Sequence, residues 1–137
     1  MKIKTSTPQE TYALAAKIAR GLKGGEVLGL VGDLGAGKTT FVKGLAKAFK
    51  IKQHIVSPTF LILKGYKILG SRGARIPRGS WTKLLKLVHI DAYRLAGKDM
   101  REVGLFEHLG KPDTITVIEW AGKIKQLLPK QTIWIKI

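Results

Sequence analysis

The chain has 137 residues, 45% of them hydrophobic and 25% charged, a length and balance suited to one globular domain that buries about two-thirds of its unfolded surface. It has no cysteine, which removes disulfides and thiolate metal sites, and no apolar run near the roughly 18 residues that a membrane span needs. Against 9 acidic residues stand 25 lysines and arginines, a net charge of +16, so RNA, nucleotides and acidic proteins are the natural partners, and charge alone does not choose among them. The first eight residues hold no apolar core of the signal-peptide kind, and a cytoplasmic protein of one domain, residues 1–137, is the expectation.

Taken in chain order, Thr7-Pro8-Gln9-Glu10 is a capping-box pattern with proline at the first helical position, and it predicts a helix through about Leu22 that stops at Gly24-Gly25. Tyr12, Ala15, Ala16, Ile18, Ala19 and Leu22 form its apolar side. Glu26 to Val31 is a short apolar run, as a buried parallel strand requires. It leads into Gly32-Asp33-Leu34-Gly35-Ala36-Gly37-Lys38-Thr39, which satisfies every fixed position of G-x-x-x-x-G-K-[ST]. A helix over Thr39 to Phe49 follows, with Phe41, Val42, Leu45, Ala46 and Phe49 on one side. Strand, glycine loop and helix in that order form a phosphate-binding loop, because the loop N–H groups and the helix N-terminus then point together at an anion. Gly32 and Gly37 permit backbone conformations that a Cβ would block. Lys38 supplies charge to β- and γ-phosphates, and the Thr39 hydroxyl is suited to a Mg²⁺ ion.

Ser57-Pro58-Thr59 precedes a predicted strand at Phe60 to Leu63. The Ser57 and Thr59 hydroxyls suit a γ-phosphate or its metal, or simply open the strand. Gly65 to Lys86 combines Gly70, Gly73, Pro77 and Gly79 with Arg72, Arg75, Arg78, Lys83 and Lys86, and reads as a basic, flexible insertion. From Leu34 to Ile90 there are twelve lysines or arginines and no acid. Leu84 to Ile90 is a predicted strand ending at Asp91, where open α/β sheets present catalytic groups; the alternative is an aspartate capping the next turn. A helical segment is expected over Lys98 to Gly110. Thr114 to Glu119 repeats the design of an apolar strand ending in a carboxylate, the position from which phosphate-loop enzymes reach Mg²⁺. Trp120 adjoins it, either shielding the site or filling core. A short helix over Gly122 to Leu128 is stopped by Pro129, and Thr132 to Ile137 alternates as an edge strand does. His54, His89 and His108 are too scattered for a metal site and read as ordinary residues.

The set formed by the loop through Thr40-Phe41, Ser57-Pro58-Thr59-Phe60, His89 to Leu95, Gly104 to Glu107, and Ile118-Glu119-Trp120 with Leu128-Pro129 resembles the TsaE (YjeE) family over nearly the whole chain. The resemblance implies an α/β fold of the P-loop NTPase type, a three-layer sandwich with a central, mostly parallel sheet flanked by helices. It implies an ATPase needed for threonylcarbamoyladenosine modification of tRNA, working with ATP and Mg²⁺ and resetting the TsaD–TsaB pair between turnovers. By motif, Asp33, Leu34, Gly35, Ala36, Gly37, Lys38, Thr39 and Thr40 cradle the phosphates, Thr39 and Glu119 hold Mg²⁺, Asp91 is the catalytic acid beside the γ-phosphate, and Thr59 makes a switch-like contact. Lys38, Asp91 and Glu119 are thus the expected catalytic set, and Trp120 is placed on the partner-facing side.

The chain departs from that family in a longer, more basic segment at 65–86 and in stopping at Ile137, where a further strand is expected. No arginine stands out as a finger, which predicts slow hydrolysis by the protein alone. Two other readings compete: a small-molecule kinase with Arg72, Arg75 and Arg78 as a lid, for which only Asp91, Tyr93 and Arg94 offer an acceptor cluster, and a nucleotide-gated module that binds tRNA through the basic surface.

Overall fold

The computed structural model describes residues 4–57, 62–68, 86–95 and 101–137. The helix α1 (Pro8–Ala19) begins as the capping box requires: the Glu10 amide donates to Thr7 Oγ1 at 3.2 Å and the Ser6 amide to Glu10 Oε2 at 2.6 Å. Its regular part stops three residues before Leu22. Strand β1 (Val27–Val31) then enters the glycine loop, and α2 (Lys38–Ala48) leaves it. Strands β2 (Leu63–Lys67), β3 (Lys86–Asp91), β4 (Thr114–Glu119) and β5 (Ile133–Lys136) complete one sheet of order β2-β3-β4-β1-β5. Every ladder is parallel except β2 with β3. This is the α/β architecture expected, with a mostly parallel sheet as the middle layer.

Alternation along the strands sorts side chains to two cores. Leu28, Leu30, Leu87, Ile115 and Val117 face α1 and α2, where Ala15, Phe41, Val42 and Leu45 meet them. Val27, Val88, Ile90 and Ile118 face the opposite layer with Leu95, Leu105, Ala121 and Ile124. Among the described residues that second layer is made of 3₁₀ turns, at Ala92–Leu95, Leu105–Glu107 and Ala121–Leu127.

Three local expectations change. Of the strand expected at Phe60 to Leu63, residues 60 and 61 lie outside the described residues; the described strand, Leu63–Lys67 with Tyr66 1% exposed, continues past Leu63 because it pairs antiparallel with β3. Gly65, Tyr66 and Lys67 therefore belong to the sheet, and residues 69–85 of the basic insertion lie outside the described residues. The helix expected over Lys98 to Gly110 is a turn and a single 3₁₀ segment over its described part, since Gly104 and Gly110 take φ of 70° and 74°, the left-handed region that ends helices. The helix expected at Gly122 to Leu128 is likewise 3₁₀, broken at Ile124.

Candidate active site

The same alternation that sorts the core assembles the site. His89 and Asp91 follow Leu87 at two-residue steps on β3, and Glu119 follows Ile115 and Val117 on β4, so all three lie on the sheet face that packs on α2. Asp91 and Glu119 are direct register partners at the carboxyl ends of β3 and β4. The first turn of α2 brings Thr39 over them: its Oγ1 donates to Glu119 Oε1 at 2.9 Å and Oε2 at 3.1 Å. His89, fully buried, places Nε2 2.8 Å from Glu119 Oε1.

The loop is shaped for an anion. Gly37, with φ of 104°, precedes α2 without a side-chain cap, and the first turn holds no acid, so the free N–H groups and the positive end of the helix dipole are left for a ligand. Gly32, with φ of 152°, sits so tightly against the Ile137 carbonyl that no Cβ fits. Lys38 is 5% exposed. Its ammonium donates to the carbonyls of Gly32 at 2.8 Å and Asp33 at 2.6 Å and lies 3.7 Å from the centroid of the Trp120 ring. Burial pushes its pKa below the usual 10.5, against the opposing pull of Glu119, Asp33 and Asp91.

Trp120 reaches that position from a left-handed backbone, φ 57°, a conformation that costs a residue with a Cβ about 1–2 kcal/mol. Its ring also meets Tyr93, with centroids 5.1 Å apart. Asp91 Oδ1 accepts the Tyr93 amide at 2.9 Å, so Asp91 caps the following turn and also lines the site.

A cleft of about 530 Å³ runs along these groups, lined by Leu34, Gly35, Gly37, Lys38, Thr39, Thr40, Ser57, Asp91, Tyr93, Arg94, Glu119 and Trp120. This size lies within the range of small-ligand sites. Of the residues singled out from sequence, Lys38, Thr39, Thr40, Asp91 and Glu119 converge here with Leu34, Gly35 and Gly37. Asp33 and Ala36 take part through backbone, with the Ala36 amide donating to the Asp33 carbonyl at 3.2 Å. Thr59 lies outside the described residues. Arg94, grouped from the sequence with Asp91 and Tyr93 as a polar cluster, lines the cleft with them. One residue gains a place that the sequence did not give it. His89, read as ordinary, touches the site carboxylate; the signal was its two-residue step from Asp91 on one strand.

Among the described residues no group of three His, Cys, Asp or Glu side chains is arranged to hold a metal by itself. Mg²⁺ keeps several of its waters and takes one or two carboxylates together with phosphate oxygens. The donors present, the Thr39 hydroxyl with the Glu119 and Asp91 carboxylates, are all oxygen, as a hard cation requires.

Comparison with known proteins agrees with this geometry. The family model described as threonylcarbamoyl adenosine biosynthesis protein TsaE matches residues 5–137. The chain is 37% identical over its whole length to a tRNA threonylcarbamoyladenosine biosynthesis protein TsaE of Bacillus subtilis, covering 77% of that protein. It is 41% identical, over 85% of its own length and 74% of the relative, to the TsaE protein of Aquifex aeolicus. The crystal structure of Bacillus subtilis YdiB superposes with a TM-score of 0.69 at 36% identity, covering all of this chain and 75% of that one.

Proposed function

Because the chain belongs to the TsaE family, and so to the biosynthesis of threonylcarbamoyladenosine in tRNA, we propose that its part in that biosynthesis is to bind and hydrolyse ATP with Mg²⁺. The observation that carries this reading is the meeting of Thr39 with Glu119 beneath a glycine loop whose lysine is buried and turned inward. A bare glycine turn needs no carboxylate there.

In this reading the loop amides and the α2 N-terminus bind the phosphates, and Lys38 leaves its two carbonyls to contact the β- and γ-phosphates. Mg²⁺, when bound, offsets charge on the phosphate oxygens; Thr39 and Glu119 are the residues to hold it. Asp91 orients the attacking water and accepts its proton. Arg94, which lines the same cleft, brings positive charge to it.

Partner dependence is part of the same reading, and the mouth of the cleft supports it. Leu34 is 90% exposed and Tyr93 55% exposed, an unusual pair of apolar groups beside a phosphate site. Covering them excludes water and fixes the loop, so turnover by the protein alone is slow and the TsaD–TsaB pair is the partner proposed to complete the cycle. ATP hydrolysis measured with Mg²⁺, with and without that pair, tests the reading. Stimulation by the pair that is lost in Glu119→Ala supports it, and an unchanged rate on adding the pair removes the partner from it.

A further inference from the structure

The buried imidazole of His89 plays no part in the reading above, yet its placement is costly. Its ring is wholly buried, and among the described residues Nδ1 has no hydrogen-bond partner. An orphaned buried polar atom costs a fold free energy that an aliphatic side chain at the same strand position avoids. The other ring nitrogen, Nε2, stands 2.8 Å from Glu119 Oε1. A carboxylate only accepts, which puts the proton on Nε2 and makes the imidazole the donor.

Glu119 therefore receives hydrogen bonds from two directions. Thr39 approaches from α2 and touches both carboxylate oxygens; His89 approaches from within the sheet and touches only Oε1. Thr39 is itself a candidate metal-side oxygen, whose hydroxyl has lone pairs for an ion as well as the proton it gives to Glu119. The bond from His89 comes from a rigid strand in register with β4, where His89 pairs with Val117, and has no reason to change. We infer that His89 is a positioning residue: its Nε2–H pins Oε1 and so fixes the Glu119 carboxylate in the orientation that leaves Oε2 on the side of Thr39, the side from which an ion would be held. This rests on the reading of Glu119 as the metal-side carboxylate. It is the arrangement by which outer-shell groups fix metal ligands, and loss of such a partner weakens the metal site by about 10–100-fold.

Glutamine carries its amide nitrogen at about the reach of Nε2, whereas asparagine is polar and of similar bulk but too short. The test measures ATP affinity by calorimetry in EDTA and in Mg²⁺ for wild type, His89→Gln, His89→Asn and Glu119→Ala, with a thermal melt of each. The expected result is that the Asn variant loses at least about tenfold of the Mg²⁺-dependent gain in affinity, that the Gln variant keeps it, and that affinity in EDTA is unchanged in both. In a Glu119→Gln background the Asn substitution adds no further loss. The inference is overturned if the Asn variant keeps the wild-type Mg²⁺ response, or if the Gln variant falls to the Glu119→Ala level while still folded. If the Asn variant fails to fold, His89→Leu, which has no donor for Oε1, stands in its place under the same expectation, and a fall of the folded Gln variant still overturns the inference. A wild-type protein that binds no ATP, or whose Mg²⁺ response survives Glu119→Ala, removes the underlying reading of the site as well, and the wild-type and Glu119→Ala data identify that case without reference to His89.

Discussion

The Lys38 ammonium rests 3.7 Å from the centroid of the Trp120 ring, held on its other side by the carbonyls of Gly32 and Asp33. Its charge is thus occupied, and in the proposed reading reaching a phosphate means leaving the ring. With Trp81 and Trp134 replaced by phenylalanine, the fluorescence of Trp120 should change on adding ATP. Lys38→Met should abolish that change and weaken ATP binding by roughly 1.5–3 kcal/mol, the scale of hydrogen bonds to a charged group. A full fluorescence response in the Met variant would mean that the lysine is not what the ligand displaces.

The burial of Lys38 also sets a pH dependence. Its pKa in the folded protein lies below the 10.5 of the unfolded chain, chiefly through desolvation. Between the lowered value and 10.5 the unfolded state holds more protons than the folded state, so the contribution of Lys38 to stability rises with pH across that window and is flat below it. Melts of wild type and Lys38→Met from neutral pH upward should show a difference in Tm that moves in favour of wild type as pH approaches 10.5. A constant difference would contradict the burial of the ammonium.

Thr39→Ala removes a hydroxyl that contacts both Glu119 oxygens, and Glu119→Ala removes the acceptor. Both should leave ATP binding without metal within about twofold, since neither group is a phosphate donor, while lowering Mg²⁺-supported hydrolysis by about tenfold or more. Combined, the two should cost little more than the larger single effect, because they act on one ion. Additive losses would place them on different steps.

Helices α1 and α2 pack through small residues. A Cβ on Gly44 would lie 2.7 Å from the Ala15 Cβ and 3.1 Å from the Tyr12 Cα, closer than packed atoms tolerate. Gly44→Ala gains roughly 1 kcal/mol in helix propensity but forces the helices apart at about 1–3 kcal/mol. Net destabilisation is expected, read as a lower urea midpoint at unchanged m-value. A more stable variant would show that the two helices separate freely.

Much of this was legible beforehand because the governing signals are local. The capping box at Thr7, the run Thr114 to Glu119 and the loop ending in Lys38-Thr39 each declare themselves within a few residues, and the carboxylates at the ends of β3 and β4 follow from strand polarity. What escaped depends on contacts between distant segments. His89 gains its meaning from Glu119, thirty positions away, and the 3₁₀ turn at Ala92–Leu95, which carries Arg94 along the cleft, has no periodicity to mark it. The segment over 101–110 carries helix-forming residues, yet Gly104 and Gly110 in left-handed conformations break it into turns, an effect of backbone geometry that apolar spacing does not register.

Strand β5 is joined to the phosphate loop by more than its ladder. The Ile137 amide donates to the Val31 carbonyl at 2.9 Å, and its own carbonyl fills the space where a side chain on Gly32 would stand. Fraying of this outer strand therefore loosens the first residue of the loop, and by reciprocity a ligand that orders the loop must slow the fraying. Amide exchange at Ile137 becomes a remote gauge of nucleotide occupancy: its protection should rise on adding ATP, whereas unchanged exchange would show that strand and loop open independently.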